Sequence, residues 1–289
     1  MTFFKLRSIL SLGGDTVTQI IHDVQDLTYL SWSKIRNSSG TAGSFLKVQE
    51  ITPQGKRYYK LSDYNAVQGV TGHESVNEII ADRLLSILDI PHLEYQLIHA
   101  DIIVDQKPIR TWLCASYNFR QRGEKKIAIE DYYASSRQDG ETLLEFCVRN
   151  GWSEYIYQML VFDYLILNRD RHGANVEVLA NRYRKTIRLA PLFDHGVSLF
   201  SRTPNDAALE AEDVMADKPV QCFVGTRSAR ENLHLIPADS YPRLNPLKES
   251  HRAGLFDGLD EALNPRWLDR IWEMIWRRWQ AYEAFRNQR

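Results

Sequence analysis

Two aspartates and an asparagine follow one another in an order that suits phosphoryl transfer. A long apolar stretch runs into the polar segment Asn168-Arg169-Asp170-Arg171-His172-Gly173-Ala174-Asn175. Two short strand-like runs follow at 175–179 and 186–189, and a further apolar run ends in Asp194-His195-Gly196. Phosphoryl transfer needs a carboxylate that orients an acceptor hydroxyl and takes its proton. It also needs oxygen ligands for the Mg²⁺ ions that neutralise the phosphate oxygens. Asp170 and Asn175 share one loop and can divide that work, and Asp194 from the next turn can complete the metal shell. A lone D-x-x-x-x-N loop is common, and either aspartate alone reads equally well as a turn residue. The signal is the ordered set with a hairpin between its parts.

The pattern Asp170-x-His172-x-x-Asn175, a short hairpin and then Asp194 resembles the HipA-like kinases, bacterial relatives of the protein kinase fold. The best-known members of that family are toxin kinases of toxin–antitoxin pairs. The Asp-Arg-His-x-x-Asn form is also similar to the phosphoinositide-kinase catalytic loop. The resemblance implies ATP and Mg²⁺ as cofactors, Asp170 as catalytic base, Asn175 as a metal ligand, and Asp194 in the place of the DFG aspartate. His172 stands where protein kinases carry a lysine; contact with the transferred phosphate and bracing of the loop are both open to it. The likeness extends over about residues 38–200. It departs from the family at Ala174, where a lysine is customary. It also departs in the N-terminal subdomain of full-length members, since only about 35 residues precede the glycine-containing loop here. A protein serine or threonine hydroxyl is the implied acceptor, and an antitoxin or companion subunit the implied partner. A lipid or small-molecule kinase would use the same loop, because acceptor choice resides elsewhere. A nucleotide-binding pseudokinase is disfavoured, since every catalytic position is filled.

The elements that must position these residues are legible upstream. Short strand-like runs at 44–50 and 57–61 flank Thr52-Pro53-Gln54-Gly55, a turn signal. Val76, Ile79, Ile80, Leu84, Ile87 and Leu88 recur at helical spacing and predict an amphipathic helix over 74–88. Kinases hold nucleotide phosphates with a strand lysine paired to a glutamate on the next helix. Lys60 with Glu78 fits that pair, with Glu74 in reserve as a simple first-turn acid; the segment also resembles the HipA-like strand, linker and helix. Lys47 and Lys56 read as solvated charges. Before the hairpin, Ser39, Gly40, Thr41 and Gly43 form a loop whose backbone N–H groups can approach phosphates, although the pattern is not G-x-G-x-x-G. HipA-like kinases are similar in carrying a modifiable serine there, so Ser38, Ser39, Thr41 and Ser44 are candidates for self-phosphorylation. Strands are predicted at 95–104 and 109–116. Cys114 to Tyr117 are expected to border the adenine, with Val48 and Ile103 packing on the base or in the core. Residues 120–140 read as irregular, 142–149 and 152–167 as helices, 200–245 as mixed polar chain, and 265–286 as a tryptophan-rich helix. That last helix should bury its aromatic face and expose Arg277 and Arg278. The expected architecture is α+β and two-lobed, protein-kinase-like. A β-rich nucleotide-binding lobe spans 1–117 and a helical catalytic lobe spans 118–289.

Composition narrows the remaining classes. The chain has 289 residues and a formal net charge of −1, so no general field draws it to nucleic acid or an anionic membrane, although a local basic patch remains compatible with that balance. Cys114, Cys147 and Cys222 are too few and too scattered for a disulfide framework or a zinc site. The N-terminus lacks a signal-peptide pattern, and no apolar run reaches membrane-spanning length, so the expected location is the cytoplasm.

Overall fold

The computed structural model describes residues 19–32 and 45–289. A five-stranded sheet leads: β1 (Ile20–Asp26), β2 (Lys47–Thr52), β3 (Gly55–Leu61), β4 (Gln96–Val104) and β5 (Lys107–Tyr117), in the order β1-β4-β5-β3-β2. Its pairs are antiparallel except β1 with β4, which is parallel. The β2–β3 hairpin closes where the turn residues predict, with Gly55 at φ 125°, a conformation a side chain would resist. Tyr59, Leu61, Ile98, Ala100, Ile102 and Leu113 form a core under this sheet. β1 has no local signal in the sequence; its place is fixed by pairing with β4.

Helix α1 (Glu74–Leu88) is buried along nearly its whole length. Ile79, Ile80, Leu84 and Leu88 join the main core with α4 (Ser153–Ile166), so α1 belongs to both halves of the molecule. The second half contains β6 (Glu124–Ala128), α2 (Ile129–Ser136), α3 (Leu143–Arg149), β7 (Glu177–Asn181) and β8 (Thr186–Leu189), with α4 between α3 and β7. The three strands form a sheet ordered β8-β7-β6. β6 and α2 occupy the stretch that reads as irregular. β6 carries Lys125 and Lys126 and becomes a strand by pairing antiparallel with β7, a partner about fifty residues distant in the chain. Short helices Asp206–Ala211 and Ala229–Asn232 punctuate the mixed polar region.

The C-terminal helix, Pro265–Asn287, buries Trp267, Trp272, Trp279 and Tyr282, as its spacing predicts. Arg278 corrects the expectation of a solvated basic face: it is 1% exposed. Its guanidinium donates to the carbonyls of Val214 (2.9 Å), Tyr164 (3.1 Å) and Ala216 (2.7 Å). The irregular segment around Val214 cannot satisfy its carbonyls internally, and an arginine with five donors can. Arg278→Ala is therefore expected to lower stability by about 1–3 kcal/mol through buried acceptors left unpaired. Chemical denaturation of both proteins measures this, and an unchanged midpoint would contradict it.

Candidate active site

The polar loop is built at the end of an apolar helix. α4 stops at Leu167, which is left-handed at φ 49°, and Asn168 turns back so that its side-chain amide donates to Asp163 Oδ1 at 2.9 Å. Arg171 is buried among these groups. It grips both Asp163 oxygens (2.8 and 3.0 Å) and donates to the carbonyls of Asn175 (3.2 Å) and Phe193 (2.9 Å). One side chain thus joins the helix end, the polar loop and the run leading to Asp194. Motif spacing does not single out Arg171 or Asp163. The available signal was a single aspartate inside the apolar run of α4, which has to find a cation when buried.

Asn175 donates through Nδ2 to the Asp170 carbonyl at 2.8 Å, while its Oδ1 is buried without a hydrogen-bond partner. His172 braces the loop: its Nδ1 accepts from the Ala174 N–H at 3.2 Å, and its Nε2 lies 3.7 Å from Asp170 Oδ1. The Gly173 N–H donates to Glu130 on α2 at 3.1 Å, and a Cβ at Gly173 would sit 2.2 Å from the Glu130 side chain, so a larger residue would require that side chain to move. Burial raises the Asp170 carboxyl above the usual carboxylate range; the His172 imidazole opposes this and the charge of Asp194 adds to it.

Three elements deliver the opposite wall. Lys60 projects from β3, opposite Cys114 on β5. Its Nζ lies 2.5 Å from Asp194 Oδ1 and 3.2 Å from Glu78 Oε1 on α1. Burial pulls the lysine toward neutrality, but the Asp194 and Glu78 carboxylates outweigh it and hold the ammonium above its ordinary range. The second Glu78 oxygen accepts the His195 N–H at 2.9 Å, so one buried carboxylate fixes both the lysine and the aspartate turn. Asn77 adds bonds to the carbonyls of Gly196 (3.0 Å) and Ser198 (2.8 Å). Asp194 itself sits at φ 61°, and its N–H points to the Tyr95 hydroxyl at 3.4 Å. The reserve acid Glu74 turns away from this role and accepts the Asp63 N–H at 3.0 Å.

Lys60 and Asp194 border a cavity of about 860 Å³ whose lining also includes Val48, Tyr95, Cys114, Tyr117 and Ala174; Glu78, Asp170, His172 and Asn175 are not among its lining residues. That volume is in the range of small-molecule and cofactor sites. Burial pushes the Cys114 thiol up to about 12, so it packs at the cavity wall as a neutral group. Lys47 and Lys56 also line this space and are partly buried, which revises their reading as solvated charges. Ile103 is 42% exposed on β4, outside both the cavity lining and the core. The loop with Ser39, Gly40, Thr41 and Gly43 lies outside the described residues. Among the described residues no cluster of three His, Cys, Asp or Glu side chains forms a metal site by itself. The donors present would nonetheless suit a hard cation such as Mg²⁺. Asn175 Oδ1 is a buried carbonyl oxygen without a donor, and Asp194 supplies a carboxylate; hard cations take such oxygen ligands.

No protein-family model matches the chain, and no curated protein matches it. Among solved structures, the chain is similar to the Helicobacter pylori proinflammatory kinase CtkA, with a TM-score of 0.56, 14% identity, and 88% of this chain and 94% of that one covered. It is more loosely similar to a chain of the Shewanella oneidensis MR-1 toxin–antitoxin complex of HipA, HipB and operator DNA. There the TM-score is 0.40 at 15% identity, and the match covers 86% of this chain and 59% of that one. The likeness to CtkA, over most of both chains, establishes a kinase fold. The α+β, two-lobed architecture expected from the sequence is the one observed.

Proposed function

We propose that this chain is an ATP- and Mg²⁺-dependent phosphotransferase of HipA-like type that phosphorylates a protein serine or threonine hydroxyl. The observation that carries the reading is the Lys60–Glu78–Asp194 network, drawn together from a strand, a helix and a distant turn, with Lys60 and Asp194 lining the cavity and Glu78 fully buried. In this reading a nucleotide-binding lobe, residues 1–117, meets a catalytic lobe, residues 118–289, across that cavity. Lys60, oriented by Glu78, holds phosphate oxygens. Val48, Cys114 and Tyr117 border the base. Asn175 and Asp194 hold the metal, which when bound neutralises charge on the phosphates. Asp170 accepts the proton of the acceptor hydroxyl, and His172 keeps the loop that carries it in shape. The loop of Ser39, Gly40, Thr41 and Gly43 covers the phosphates. A companion subunit or antitoxin is the partner that the family resemblance suggests.

Purified protein incubated with ATP and Mg²⁺, followed by intact mass and phosphosite mapping, tests the reading, with protein, inositide and metabolite acceptors in parallel. Label transferred to lipids or metabolites and never to protein would move the assignment to another kinase class. No label anywhere, with ATP bound, would make the chain a binding module. Phosphate on Ser38, Ser39, Thr41 or Ser44 that is missing when Asp170 is replaced by Asn is the signature of self-modification. The metal assignment has its own expected result. ATP with Mg²⁺ should raise the melting temperature more than ATP alone, by mass action, and Asp194→Ala should erase the Mg²⁺-dependent increment. Equal increments in the wild type and the variant would remove Asp194 from the metal site.

A further inference from the structure

The β7–β8 hairpin ends in a basic tip that the site above does not use. Its turn, Arg182-Tyr183-Arg184-Lys185, is wholly exposed, and Tyr183 keeps 91% of its surface open to solvent. Register places a second basic strip beside it. Asn181 lies opposite Glu124, and Ala180 is flanked by Lys125 on one side and Ile187 on the other. Arg122 precedes that strip, held by a bond from the Asn181 amide to its carbonyl at 3.2 Å. Arg122, Arg182, Arg184 and Lys185 are therefore four exposed cations around this turn, whereas Lys125 lines the cavity. The neighbouring acids are already committed: Glu124 binds Arg188 through two bonds of 2.8 Å, and Glu177 pairs with Lys126.

The tip is also rigid by construction. Asn181 is 3% exposed, and its Oδ1 accepts the N–H groups of Tyr183 and Arg184, both at 3.1 Å. The turn is thereby fixed with its ring outward. An unpacked aromatic ring between two arginines offers a stacking platform to a base while the guanidiniums take flanking phosphates. At about 3.3 Å per residue, β7 sets this tip roughly 17 Å from the polar loop, and none of residues 182–185 lines the cavity, although Lys125 on the neighbouring strand does.

We infer that the β7–β8 tip, with Arg122, binds single-stranded nucleic acid through phosphate contacts and base stacking on Tyr183. The chain's net charge of −1 argues against a global attraction, and the binding is local and strongly salt-dependent. It stands independently of the phosphotransferase reading.

Fluorescence anisotropy of the full chain with labelled oligo(U) and oligo(dT), across a salt titration, tests it. The wild type is expected to bind at low salt. Combined Arg182→Ala, Arg184→Ala and Lys185→Ala should weaken binding at least about tenfold and flatten the log–log salt slope by roughly 2. Tyr183→Ala should weaken it roughly fivefold or more without altering that slope. Arg184→Glu provides a second charge variant, and thermal melts confirm that each variant folds. Preference between the two oligomers identifies RNA or DNA as the source. Absence of binding would overturn the inference. So would poly-glutamate binding as tightly as the oligomers with Tyr183→Ala silent, which would mark an acidic polypeptide surface. Tighter binding of duplex DNA, again with Tyr183→Ala silent, would also overturn it.

Discussion

Asp170→Asn is expected to cut phosphoryl transfer by ~10²–10⁴-fold, the usual worth of a positioned general base, while nucleotide binding persists. The substitution preserves side-chain shape and removes only the proton acceptor. The loop should survive it, because the bonds that shape the loop at this residue use its backbone. Asn175 Nδ2 donates to the Asp170 carbonyl at 2.8 Å, and the Asp170 N–H donates to Asn168 Oδ1 at 3.2 Å. Lys60, Glu78 and Asp194 make their mutual contacts without Asp170. Single-turnover transfer assays give the rate, and thermal shift with ATP and Mg²⁺ gives the binding. Unchanged turnover would dismiss Asp170 as base. Lost turnover together with lost nucleotide binding would point instead to a structural role.

Arg171→Ala should have the largest effect on stability. Breaking a buried ion pair by removing one partner typically costs about 3–5 kcal/mol, because the remaining charge stays desolvated and alone. Here the survivor would be Asp163, buried near the end of α4, with the Asn175 and Phe193 carbonyls also losing their donor. For a chain of this size that loss corresponds to a melting temperature lower by on the order of 10 °C. Arg171→Lys should recover only part of it, since an ammonium cannot reproduce the two parallel bonds to Asp163. Replacing the pair together, Asp163→Leu with Arg171→Met, should leave a more stable protein than Arg171→Ala alone, because no unpaired charge remains. Differential scanning calorimetry of the three variants decides. A melting temperature for Arg171→Ala within a degree or two of wild type would refute the account. The same residue spans the loop of Asp170 and the run before Asp194, so the variant that folds least well is also expected to hold its site least well.

What the sequence by itself determined is whatever depends on local periodicity and local chemistry. The helix predicted over 74–88 is observed as Glu74–Leu88, and the turn at Gly55 and the tryptophan face of the last helix are likewise written in neighbouring residues. The order of a β-rich half before a helical half followed from strands grouped before helices, and the kinase-like fold class from the resemblance carried by the Asp170, Asn175 and Asp194 pattern. Tertiary structure decided everything that needs a distant partner. Glu74 and Glu78 are four residues apart and share one helix face, so the sequence leaves both open to Lys60. The seating of α1 against β3 selects Glu78 and gives Glu74 to the Asp63 N–H. β1 and β6 lack strong apolar alternation and exist as strands because β4 and β7 supply their hydrogen bonds. Arg278 and Arg171 look like surface charges until the carbonyls and the carboxylate they satisfy are folded around them. A side chain's periodicity is a property of its own helix or strand; whether its charge is buried depends on what residues far along the chain bring to meet it.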